Sequence, residues 1–169
     1  MAVSRLVPVA EYLRTSYRPD CDYLDGVILE RNLGEYSHST VQTSVGGLLK
    51  SRGNEWGVHT CFALRVKVRP GRYRVPDVVL IDRSLPREEI ITHPPILCVE
   101  VLSPEDCVSE MEERITDYFQ MGVACVWIFD PIRRKAFLRA GSTSAELTGT
   151  IGVPGTPIEL ALDDVFAEL

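Results

Sequence analysis

Residues 72–104, RYRVPDVVLIDRSLPREEIITHPPILCVEVLSP, contain two short apolar runs, Val78-Val79-Leu80-Ile81 and Ile96-Leu97-Cys98-Val99. Bounded by prolines and charge clusters, both read as buried strands. Asp77 opens the first run and Glu100 closes the second. A buried carboxylate without a compensating partner is costly, so the pair demands an explanation.

Upstream, His59 to Val68 alternates, with Leu64, Val66 and Val68 on one side and Arg65, Lys67 and Arg69 on the other, as a half-buried strand requires. The Pro70-Gly71 turn then returns the chain into the Asp77 strand. Downstream, Ser103-Pro104 and two acidic residues open a helix whose apolar stripe is Met111, Ile115, Tyr118 and Phe119, closed by Met121-Gly122. Ala124 to Phe129 is nearly all apolar, hence a central strand; Arg134 to Arg139 pairs outside it, and a short helix near 163–169 ends the chain. Nearer the start, Pro8 to about Thr15 forms a short helix, and Tyr23 to Leu29 makes a hairpin at Asp25-Gly26. Ser37 or Ser39 caps a helix carrying Val41, Val45, Leu48 and Leu49. The expectation is an α/β (α+β) fold: one mixed sheet flanked by helices on both faces, with an N-terminal hairpin.

At 169 residues the chain suits one domain spanning 1–169. It is 45% apolar and 25% charged with mean hydropathy near zero, a globular balance, and no window resembles a membrane span. The first twenty residues lack the apolar core and cleavage site of a secretion leader, which points to the cytoplasm. Five cysteines without a C-x-x-C pair point to reduced thiols and no zinc site. A net charge of -6 argues against an overall basic nucleic-acid coat, although a local patch can steer a phosphate backbone.

Two carboxylates brought together at neighbouring strand ends repel, and a hard divalent cation resolves that repulsion. Mg²⁺ prefers a few carboxylate or carbonyl oxygens with water in its remaining positions, and it both polarises a phosphodiester and acidifies an attacking water. The competing interpretation leaves both acids at strand mouths in water, or has one of them cap the next helix.

"VPDVVLID", followed by "CVEVLSPEDCVSEMEERITDYFQMGVACVWIFDP", resembles the Uma-two family of "putative restriction endonucleases", within the PD-(D/E)XK nuclease superfamily. The similarity extends to "YLDGVILE", the Ser37-His38 helix entry and "VPGTPIELALDDVFAEL", and so covers nearly the whole chain. It implies a restriction-endonuclease-like core in which Asp77, Glu100 and the Val101 backbone carbonyl bind Mg²⁺, with Mn²⁺ as substitute, and it implies a homodimer. Glu30 and His38 are the further positions that the resemblance and the helix entry offer to a metal shell or substrate. For His38 a capping or surface position is the alternative, and for Glu30 simple exposure.

The chain departs from the superfamily pattern at Leu102, where the lysine of the D/E-x-K triplet would stand. In related members that lysine sits on the following helix, and the matching position here is Arg114. Arginine stays protonated, so it orients and stabilises charge without acting as a base. A simple ion pair with Glu110, four residues earlier, is the alternative for Arg114. Lys67 is the other candidate for the missing amine, because its strand is expected beside that of Asp77. The string Arg65, Lys67, Arg69, Arg72, Arg74 suits a phosphate-backbone contact, or else an ordinary solvated strand face.

Two functions are therefore expected to compete. One is a Mg²⁺-dependent endonuclease hydrolysing nucleic-acid phosphodiesters, DNA ahead of RNA. The other is a catalytically decayed nuclease fold acting as a binding or regulatory module.

Overall fold

The computed structural model describes residues 6–31 and 35–169. Helix α1 (Val9–Arg14) follows Pro8, whose fixed φ suits a helix entry. Strands β1 (Cys21–Leu24) and β2 (Val27–Glu30) form the expected hairpin. Asp25 and Gly26 both take positive φ, 51° and 100°, the conformation of the two-residue turn that matches strand twist. Helix α2 (Tyr36–Ser51) buries Val41, Val45 and Leu49. Its cap is the extended Glu35, not the serines expected from the sequence. A single turn, α3 (Gly53–Trp56), ends at left-handed Gly57.

The alternating run read as one strand is two: β3 (Val58–Phe62) and β4 (Val66–Arg69). The chain turns between them at Ala63, with φ 47°, and the halves enter different sheets. Alternation records a half-buried strand but says nothing of its partner, so the break was invisible in the pattern.

Beyond the Pro70-Gly71 turn come β5 (Arg72–Arg74), β6 (Val78–Asp82), β7 (Leu97–Val101), helix α4 (Val108–Met121) and β8 (Val126–Asp130). The chain ends through β9 (Lys135–Ala140), β10 (Thr143–Leu147), β11 (Thr150–Gly152), β12 (Glu159–Ala161) and α5 (Leu162–Val165). Helix α4 starts at Val108, later than expected, because the Asp106 carboxylate accepts the Ser103 N–H at 2.6 Å and holds the preceding turn outside the helix. Gly122, at φ 104°, closes it as anticipated.

The mixed sheet flanked by helices expected from the sequence is present, and the N-terminal hairpin belongs to a second sheet beside it. A six-stranded sheet runs β10-β9-β8-β7-β6-β3, and a four-stranded antiparallel sheet runs β2-β1-β5-β4. A small ribbon pairs β11 with β12. Only β7 and β8 are parallel in the large sheet, and α4 supplies the crossover that such a pair needs. Both strands are buried at all five positions, which requires cover on both faces.

Alternation assigns those faces. Val78, Leu80, Leu97, Val99, Trp127 and Phe129 pack with Val41, Val45 and Leu49 of α2 and with Phe166 beyond α5. Val79, Ile81, Cys98, Val126 and Ile128 pack with Met111, Ile115 and Tyr118 of α4. The four-stranded sheet carries a third cluster, in which Tyr12 stacks on Tyr23 with ring centroids 4.9 Å apart. Among the described residues no helix is long and apolar enough to cross a membrane.

Candidate active site

Registered pairing of β6 with β7 sets Val78 opposite Val99 and Val79 opposite Cys98. Continued one step, that register sets Asp77 opposite Glu100. The same parity turns both toward the α4 face, because Val79 and Cys98 already point there. Asp77 is 5% exposed and Glu100 0%. Two carboxylates buried side by side would be prohibitively costly alone.

Their compensation comes from four elements. Arg31, just after β2, donates through one nitrogen, Nη2, to Asp77 Oδ1 at 2.8 Å and to Glu100 Oε2 at 3.2 Å. On α4, Arg114 donates from Nη1 to Glu100 Oε2 at 3.1 Å, and the Tyr118 hydroxyl donates to Glu100 Oε1. The Val101 N–H donates to Asp77 Oδ2 at 2.8 Å. On α2, His38 Nε2 lies 3.5 Å from the same oxygen, while the Gln42 amide donates to the Asp77 backbone carbonyl at 3.0 Å.

These surroundings pull the two acids apart. Burial lifts Glu100 above the usual carboxylate range, against the opposing charges of Arg114 and Arg31. Burial also acts upward on Asp77, but Arg31, His38 and the Val101 N–H outweigh it and hold the carboxyl below its usual range. Divergent proton affinities in one acid pair characterise sites where acids divide their tasks.

Burial lowers His38, yet the Asp77 carboxylate outweighs it and the imidazole is raised overall. The sign of its pH dependence follows. A folded value above the free imidazole value of about 6.5 gives stabilisation that is complete below that pH and fades as pH climbs through the raised value. We expect the thermal midpoint of the wild type to fall across that window and the fall to be smaller in His38→Gln. Identical slopes in the two proteins would mean that His38 folds neutral.

A cavity of about 30 Å³ lies against Arg31, His38, Asp77, Val101, Asp106 and Arg114, enough for about one water or one small ion. Arg31 and Ser103 also border a neighbouring cavity of about 540 Å³, whose wall includes Glu30, Glu35 and Glu105. Among the described residues no three His, Cys, Asp or Glu side chains form a ready metal cluster. The donor set nevertheless fits Mg²⁺ in kind, since that ion takes one or two carboxylates and fills its other positions with water and phosphate. Asp77 and Glu100 would hold it.

Of the residues singled out in the sequence, Asp77, Glu100, Arg114, His38 and Val101 converge. Val101, whose carbonyl is the expected Mg²⁺ ligand, contributes its N–H to Asp77. Glu30 is exposed on β2 and borders the larger cavity, apart from the acid pair. Lys67 is elsewhere: β4 pairs with β5, whereas the neighbours of β6 are β3 and β7, so the turn at Ala63 carries Lys67 away.

The basic string is not a free phosphate-facing row either. Arg65 donates to the Leu13 and Thr15 carbonyls at the end of α1 and lies 4.6 Å over the Tyr12 ring. Arg69 forks onto Asp25 at 2.9 and 2.6 Å. Arg72 bonds Asp117 at 2.9 Å and also Glu113. Arg74, 2% exposed, bonds Asp22 at 2.9 Å and Asp117 at 2.6 Å. The topology places an acid against each of the last three, which alternation along one strand cannot foresee.

Sequence reasoning missed Arg31, Gln42 and the polar end of Tyr118, which it placed in the core. Two of these carried a signal, because Tyr118 is four residues from Arg114 and Gln42 four from His38, each pair on one helix face. Arg31 had none.

No functionally curated protein matches the chain. Among solved structures it is similar to the crystal structure of "a putative nuclease belonging to DUF820" from Anabaena variabilis, at 20% identity and a TM-score of 0.83, over 95% of this chain and 98% of that one. That likeness establishes a shared fold. The family model described as "Putative restriction endonuclease" matches residues 9–142. Because that span takes in Arg31, His38, Asp77, Glu100, Arg114 and Tyr118 together, the chain that builds this buried acid pair belongs to the Uma2 family.

Proposed function

We propose that the protein is a Mg²⁺-dependent endonuclease that hydrolyses nucleic-acid phosphodiester bonds, with Mn²⁺ able to substitute. The observation that carries this reading is the convergence of Asp77 and Glu100 on a single nitrogen at 2.8 and 3.2 Å, which marks a point where both carboxylates can serve one cation. Bound there, the ion would polarise the phosphodiester and acidify a water. Arg114 stabilises negative charge beside Glu100 and, being permanently protonated, leaves proton transfer to another group. His38, beside Asp77 with its Nδ1 unpaired among the described residues, is the titratable group best placed for it.

The description of the family as restriction endonucleases supports DNA as substrate ahead of RNA, and we propose a cytoplasmic homodimer as the working form. Sedimentation at micromolar concentration should give twice the 18.9 kDa chain mass; a single-chain mass at all concentrations would refute the dimer. Incubation of supercoiled, linear and single-stranded nucleic acids with Mg²⁺ or Mn²⁺ tests the activity itself. Metal-dependent nicking supports the reading, and inertness toward every substrate and metal sinks it.

One observation favours a decayed nuclease that binds without cutting. Arg114 stands where the family resemblance leads one to expect lysine, and Lys67 is on a strand that does not pair with β6 or β7. Metal-dependent nucleic-acid binding without cleavage would select this second reading.

A further inference from the structure

Arg31 belongs to no motif in the sequence, yet it makes the closest charged contact between the two acids. The geometry points to Arg31 as an internal counter-cation, holding the point between Asp77 and Glu100 until a divalent ion displaces it. This rests on the metal-dependent reading of the site given above.

Four observations carry it. First, one nitrogen of the guanidinium serves both carboxylates, so Arg31 acts there as a bridging point charge and not as a fork on one partner. Second, the Arg31 side chain is only 12% exposed, and the carboxylates facing it are 6% and 0%. Removing that charge without replacement would leave two like charges facing each other across neighbouring strands.

Third, Arg31 and Arg114 are held differently. Arg114 touches Glu100 alone of the pair, and its Nε lies 3.5 Å from Asp22, a buried carboxylate outside the pair. The charged partners described for the Arg31 side chain are the two acids themselves. Fourth, the side chain has somewhere to go. The Arg31 backbone N–H is anchored to the Asp20 carbonyl at 3.1 Å, while the residue borders the 540 Å³ cavity walled by Glu30, Glu35 and Glu105. Rotation about the side-chain bonds would turn the guanidinium toward that acid-lined cavity while the backbone stays anchored. Arg31 therefore keeps the acid pair neutralised in the resting protein and weakens cation affinity by competing for the same point.

The test is Mn²⁺ titration by calorimetry on the 169-residue chain, without nucleic acid, comparing wild type, Arg31→Gln, Arg31→Lys and Asp77→Asn. Arg31→Gln is expected to bind Mn²⁺ about tenfold or more tightly than wild type, because a positive charge within a few ångströms has gone. Arg31→Lys keeps a cation and is expected to stay near wild type, and Asp77→Asn to lose binding. Equal or weaker binding by Arg31→Gln than by wild type overturns the proposal while leaving the metal site standing. Absence of Mn²⁺ binding in both overturns the proposal and the metal-dependent reading together. Should Arg31→Gln fail to fold on its own, Mn²⁺ is expected to restore its cooperative thermal transition, and failure to restore it counts against the proposal.

Discussion

Asp77→Asn and Glu100→Gln are each expected to lower metal-dependent cleavage on the order of 10³-fold or more, the scale typical of groups that act directly on a reaction centre. Both substitutions preserve shape and remove charge. The amide introduced by Asp77→Asn would retain volume beside the Val101 N–H but offer Arg31 only a neutral oxygen, while the amide introduced by Glu100→Gln would keep an acceptor for the Tyr118 hydroxyl. A loss of rate then reports the missing negative charge and not a collapsed pocket. Because each variant leaves a buried arginine short of its partner, cleavage should be compared well below the thermal midpoint of each protein, with circular dichroism establishing that both are folded. Wild-type rates in both variants would show that any cleavage arises elsewhere on the molecule.

The second large effect concerns stability. Arg74→Met should destabilise the protein by about 3 kcal/mol in urea unfolding, the cost of taking the bridging cation from two buried carboxylates whose remaining described cations are Arg72 on Asp117 and Arg114 at 3.5 Å from Asp22. Asp22 and Asp117 are 1% and 4% exposed, and the Arg74 guanidinium joins them across β1, β5 and α4. Combining Arg74→Met with apolar replacements of Asp22 and Asp117 should recover only part of that loss, because Arg72 and the Val75 N–H then lose their acceptors. Arg69→Ala provides the contrast: it breaks an equally short pair with Asp25 at the surface, where water screens both charges, and should shift the urea midpoint little. A loss in Arg74→Met no larger than that in Arg69→Ala would refute the burial argument.

The placement of Asp77 and Glu100 was legible because two physical signals coincided. Apolar runs bounded by breakers define strands, and an acid at the edge of such a run is conspicuous. Arg114 and His38 were legible through the resemblance, and the structure brings both to the acid pair. Lys67 was misplaced because alternation over residues 59–68 looks the same whether one strand or two half-strands carry it, and a single positive φ at Ala63 decides between them. The short strands β10 to β12 left little trace: their residues are largely exposed, so no apolar run marks them. Arg31 was illegible for a different reason. Its meaning depends on residues 46 and 69 positions away, and nothing in its own neighbourhood encodes that meeting.

The division of the strands between two sheets has a consequence for how the molecule assembles. Asp22 comes from the smaller sheet and Arg31 from the segment leaving it, whereas Asp77 and Glu100 sit in the larger sheet and Arg114 on its crossover helix. Until the sheets dock, each half carries charges whose partners lie on the other, and those charges favour solvation over burial. A half-assembled chain thus gains little by closing on itself, and the network disfavours partial order as strongly as it supports the finished site. Unfolding followed through Trp127 in the larger sheet and through far-ultraviolet dichroism should coincide in one transition, making the acid pair a checkpoint on cooperative folding.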